Sequence, residues 1–91
     1  MAVVIRKRVV AHGKVQGVFF RDNCRALADK VGVRGWARNL PDGTFEAAFE
    51  GEPEAVEFMV TWSRHGPRKA RVDALDVYDE QPDGITDFTV R

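Results

Sequence analysis

Nine residues join an apolar strand pattern to an apolar helix pattern: Gly13-Lys14-Val15-Gln16-Gly17-Val18-Phe19-Phe20-Arg21. Two glycines bracket the loop, and an arginine closes it at the start of the helix. A junction of this kind suits an anion. Glycine lets backbone N–H groups approach a ligand, the helix start adds partial positive charge, and a guanidinium offers a planar fork to phosphate oxygens. Arg21 also raises an electrostatic question, because a fixed positive charge in the first turn of a helix opposes the macrodipole. The neighbouring Asp22 can compensate it locally, and so can a bound phosphate. The loop favours the phosphate, which would satisfy the amides and the guanidinium together. The segment lacks the Gly-Lys-Ser/Thr ending of a nucleotide-binding P-loop.

The flanking pattern gives the frame. Val3 to His12 is a β-branched strand, and Phe20, Cys24, Leu27, Ala28 and Val31 fall on one helical face that Gly32 ends. Val33 to Leu40 and Thr44 to Glu50 form two strands around the Pro41-Asp42-Gly43 turn, with Phe45, Ala47 and Phe49 on one face and Thr44, Glu46 and Glu50 on the other. Pro53 opens a second helix whose stripe is Ala55, Phe58, Met59 and Trp62, widened by Val56 and Val60, and Gly66-Pro67 ends it. Ala70 to Tyr78 is a strand whose apolar residues miss a beat at Ala74, which predicts a bulge or a bend. Gln81 to Gly84 turns the chain into a short last strand with Phe88 and Val90. The order βαββαβ, plus that short strand, is a split βαβ arrangement. It predicts an α+β, ferredoxin-like fold, an antiparallel sheet with two helices on one face. In that arrangement the strand carrying Asn39 is expected beside the strand that feeds the glycine loop, bringing its amide near Arg21. Asn39 is otherwise a weak signal, since an asparagine near a turn commonly bonds its own backbone.

Ninety-one residues leave room for one domain, spanning 1–91, with one main core. Fourteen basic residues balance fourteen acidic ones, so no overall field draws the chain to nucleic acid or to an anionic membrane. The aromatic signature of a sheet-based RNA reader is also missing. Cys24 lies in the helical stripe and reads as core. His12 and His65, far apart, give no metal spacing with that single cysteine, so neither a metal nor another cofactor is expected. His12 and Lys14 flank or enter the loop, where a structural strand-end role for the first and solvent exposure for the second are the plainer readings. Arg64, Arg68, Lys69 and Arg71 read as solvated surface. The Arg6-Lys7-Arg8 cluster interrupts the N-terminal apolar run, which is too short for a signal peptide, and a cytoplasmic monomer is the expectation.

The loop of residues 13–21, together with Gly35-Trp36-Ala37-Arg38-Asn39 through Asp42-Gly43 and Glu46, resembles the two signature segments of the acylphosphatases. The likeness extends to the second helix with Trp62, to Gly66-Pro67 and to the Phe88-Thr89-Val90-Arg91 ending. Phe45 and Phe49 replace the smaller aliphatic residues usual there, which suggests altered core packing away from the site. The resemblance implies metal-independent hydrolysis of the carboxyl–phosphate bond of small acyl phosphates. In that scheme Arg21 and the amides of Gly13, Lys14, Val15, Gln16, Gly17, Val18 and Phe19 bind the phosphoryl group, while Asn39 orients the attacking water. No side-chain base takes part, and a substrate oxygen accepts the proton. The alternative is a non-catalytic module that binds or senses phosphate or carbamoyl phosphate. The presence of both Arg21 and Asn39 favours the enzyme.

Overall fold

A computed structural model describes residues 3–91, leaving residues 1–2 of the expected domain outside it. The elements run β1 (Ile5–Lys14), α1 (Phe20–Val31), β2 (Arg34–Asn39), β3 (Phe45–Gly51), α2 (Pro53–Ser63), β4 (Arg71–Glu80) and β5 (Phe88–Val90). Their sheet order is β4-β1-β3-β2-β5. The four long strands pair antiparallel, as expected of a ferredoxin-like fold. The expectation of a wholly antiparallel sheet needs correction, because β5 lies parallel to β2. The loop after β4 carries the chain back past β2, so β5 enters the sheet in β2's own direction.

A second correction concerns neighbours. β2 does not lie beside β1, because β3 occupies that place and pairs with both. In a split βαβ unit the crossover helix skips one position, and the second unit's strand fills it. Asn39 therefore stands two strands away from the strand that feeds the loop.

Alternation along the strands sends Val9, Ala11, Ala37, Phe45, Ala47 and Phe49 into one core with Phe20, Cys24 and Ala28 of α1 and Val56, Met59 and Val60 of α2. The α2 stripe is rotated from its expected place: Val56, Met59, Val60 and Ser63 are buried, whereas Phe58 is half exposed. The bulge in β4 is present, since His12 faces Ala74 and Gly13 faces Val72, leaving Asp73 unpaired in the register. β1 itself runs on through Gly13 and Lys14 and starts only at Ile5.

The other face of the sheet carries no helix, yet β3 is buried along its whole length. Glu46 and Glu50, expected on a polar face, are covered by arginines from β1 and β2. Glu46 holds Arg8 at 3.0 Å and Arg38 at 2.6 Å, and Glu80 takes Arg6 and Arg8, both at 2.9 Å. Glu50 accepts the Asp83 and Gly84 amides at 2.8 Å and Arg6 at 3.5 Å. Burial alone would raise the Glu50 carboxyl, but the amides and the guanidinium outweigh it and hold it below the usual carboxylate range. Arginine stems cover apolar surface while their heads bond carboxylates, which is how a charged layer can close over a strand.

Candidate active site

The site lies where the end of β1 passes into α1. Phe20, the first residue of α1, is 2% exposed and packs on Phe45 at 4.4 Å and Trp62 at 5.1 Å between ring centroids. Burial of such a ring contributes about 2–3 kcal/mol, enough to fix where the helix begins. Gly66, beyond α2, approaches this ring so closely that a side chain there would collide with it. Residues on both sides of Phe20 are thereby held in place, and Phe45, expected to alter packing away from the site, packs directly on a ring that lines it.

The bend itself needs two residues in the left-handed region, Gly17 at φ 72° and Phe19 at φ 63°. Glycine adopts that conformation freely, whereas for phenylalanine it costs about 1–3 kcal/mol. The helix offsets part of the strain, because the Phe19 carbonyl accepts both the Asn23 amide N–H at 3.1 Å and Asn23 Nδ2 at 2.9 Å. Gln16 anchors the other end of the bend. Its Nε2 donates to the carbonyls of Leu40 at 2.8 Å and Thr44 at 2.9 Å, tying the loop to the β2–β3 turn. That turn is set by Asp42, whose Oδ1 accepts from the Thr44 hydroxyl at 2.6 Å and its amide at 3.0 Å. The hydroxyl, then the amide, holds the Asp42 carboxyl below its usual range.

These constraints leave a cleft of about 220 Å³ lined by Val15, Gly17, Phe19, Phe20, Arg21, Asp22 and Asn39. Arg21 and Asn39 thus share one cavity despite the intervening strand. Asn39 ends β2 on the same face as the buried Ala37, so its amide points to the helix side of the sheet. Its Oδ1 is buried with no hydrogen-bond partner in the protein. An unsatisfied buried acceptor costs about 1–3 kcal/mol, and a hydrogen-bond donor entering the cleft would remove that cost. Arg21 Nη1 donates to the Arg91 carbonyl at 3.2 Å, which uses one of five donors and leaves the rest of the fork free of protein partners.

Other residues singled out in the sequence take different places. Gly13 and Lys14 belong to β1, paired with Val72 and Arg71, and do not line the cleft. Val18 is buried in the core, and Gln16 serves as the latch described above. His12 sits on the open face, bonded to Asp76 at 2.8 Å. Cys24 is fully buried, and burial pushes its thiol well above the ordinary value, far from the reactive range. Arg64, Arg68, Lys69 and Arg71 are exposed. Gln16 is expected from the sequence only as a loop amide; its role as a latch is not legible there because its acceptors are backbone carbonyls that only the fold brings close. The contact of Arg91 with Arg21 is hidden for the same reason.

A family model described as Acylphosphatase matches residues 7–90, the loop and Asn39 included. The chain belongs to the acylphosphatase family. It is 51% identical over 90 residues to an acylphosphatase of Gloeobacter violaceus, covering 99% of this chain and 97% of that protein. An acylphosphatase of Rubrobacter xylanophilus is 53% identical over 79 residues, with 87% of this chain and 72% of that one covered. Among solved structures, an acylphosphatase from Coxiella burnetii superposes with a TM-score of 0.92 at 33% identity, covering 97% of this chain and 93% of that chain. Among the described residues no helix is long and apolar enough to cross a membrane.

Proposed function

We propose that this chain hydrolyses the mixed carboxyl–phosphate anhydride of small acyl phosphates, releasing a carboxylate and inorganic phosphate. Family membership supports the reaction class. The observation that carries the division of labour is the meeting, in one cleft, of a largely unengaged guanidinium and a buried amide oxygen lacking a partner.

Arg21 and the backbone N–H groups of the bend would bind the phosphoryl oxygens, supplying positive charge where it accumulates in the transition state. Asn39 Oδ1 would accept a hydrogen bond from a water and aim that water's oxygen at phosphorus, in line with the acyl oxygen. Attack forms the new P–O bond as the bond to the acyl oxygen breaks. The carboxylate leaves with the electron pair, and the water's proton passes to a phosphoryl oxygen. Neither Arg21 nor Asn39 can take that proton at neutral pH, because guanidinium stays protonated and an amide does not titrate. The protein's contribution is therefore position and electrostatics. A carboxylate is a far better leaving group than an alkoxide, so phosphate esters are expected to react poorly.

Hydrolysis of benzoyl phosphate and acetyl phosphate, with p-nitrophenyl phosphate as the ester control, tests this reading. Turnover of the anhydrides that persists in EDTA is expected. Competitive binding of inorganic phosphate without turnover would leave a sensing module instead. Loss of turnover on chelation, restored by magnesium, would overturn the metal-independent scheme.

A further inference from the structure

We propose that Phe19 determines acyl-group specificity, serving as an aromatic platform that makes the site favour aryl and other bulky apolar acyl phosphates over acetyl phosphate. This rests on the acyl phosphate reading and extends it to the half of the substrate that carries no phosphate.

The substrate has two unlike ends. Arg21, Asn39 and the amides of the bend suit the phosphoryl end, so the acyl end must extend toward the remaining lining. Val15 and Phe20 are 1% and 2% exposed and are committed to the core. Phe19 is 66% exposed, the most exposed large apolar side chain among the described residues, and it lines the same cleft as Arg21 and Asn39. An isolated ring on a surface needs no explanation, but one at the rim of a polar cleft offers a face on which an apolar group can lose its contact with water.

Its backbone strengthens the assignment. At φ 63° and ψ 27° the position suits glycine or asparagine, yet it bears a large ring. The two bonds from Asn23 to the Phe19 carbonyl and the buried ring of Phe20 fix the direction in which Phe19 leaves the chain. Consecutive aromatic residues thus do opposite things: Phe20 anchors inward and Phe19 stands outward beside the anion cradle.

The test compares kcat/KM for benzoyl and acetyl phosphate in the wild type, Phe19→Asn and Phe19→Tyr. Taking each variant's benzoyl-to-acetyl ratio against the wild type's cancels the intrinsic reactivity of the two anhydrides. Asparagine accepts the left-handed backbone and removes the ring, so the ratio should fall about tenfold, mainly through KM for benzoyl phosphate. Tyrosine should keep the ratio within about twofold of the wild type's, since it retains the aromatic face. Phe19→Gly, equally at home at positive φ, repeats the measurement should the asparagine variant fold poorly. A ratio unmoved in the ring-less variants, even with both rates lowered together, overturns the proposal while leaving acyl phosphate hydrolysis standing. A wild type that hydrolyses neither anhydride overturns both.

Discussion

The two faces of the sheet treat their polar groups in opposite ways. On the open face Arg6, Arg8 and Arg38 are each matched to a carboxylate of Glu46, Glu50 or Glu80. On the helix side Arg21 holds one carbonyl, and Asn39 Oδ1 holds nothing. Arginine stands on both sides, so its presence alone does not separate them. What separates them is satisfaction: a saturated network has little left to offer a ligand, whereas a guanidinium with free donors and a buried acceptor without a protein partner, in a shared cleft, are open to one.

The comparison can be broken at several points. Arg21→Ala should have the largest effect, lowering kcat/KM for benzoyl phosphate by about 10³-fold and abolishing inhibition by inorganic phosphate, because the free fork is lost. Asn39→Ala should lower kcat by about 10²-fold while the phosphate inhibition constant stays near the wild-type value. Thermal unfolding should find that variant no less stable than the wild type, since the orphaned acceptor leaves with the side chain. An equal loss of phosphate binding in both variants would contradict the separate roles.

On the saturated face the sign reverses: substitution should cost stability rather than rate. Glu50→Gln is expected to destabilise by about 2 kcal/mol at neutral pH, measured by urea unfolding. The folded-state value of Glu50 lies below its ordinary value of 4.5, so its contribution is present above that value and is lost as pH falls through the lower folded one. The difference between variant and wild type should therefore shrink as pH drops below 4.5. A gap independent of pH would mean that the carboxylate charge is not what the network uses. Gly17→Ala tests the bend, where φ is 72° but the space around a new methyl group is open. It should cost about 1 kcal/mol from backbone strain alone. Smallest of all is the response of Cys24: alkylating reagents should leave the native protein unmodified by mass spectrometry, because the thiol is buried and its ionisation suppressed.

Local chemistry was readable in the sequence wherever one residue's neighbours decide its state. Gly32 ends α1 in the left-handed conformation at φ 78°, and Pro53 opens α2. The missed beat at Ala74 becomes the β4 bulge. Long-range pairing was less accessible. The hydrophobic period does not say which strand lies between two others, so β3's place between β1 and β2 was hidden. Glu46 and Glu50 alternate like surface residues, and it is the arginines arriving from β1 and β2, with the loop after β4 over Glu50, that cover them. For the cleft, Arg21 and the glycines were legible because each has a local electrostatic or conformational oddity. The Gln16 latch and the Arg91 carbonyl were not, since their partners lie 24 and 70 residues away.

The latch has a kinetic consequence. One side-chain amide bridges two carbonyls of the neighbouring hairpin, so the bend and the rim opposite it form a single rigid mould instead of a pair of jaws. Catalysis in such a mould would not wait for a gate to swing, and its turnover number should be indifferent to added viscogen.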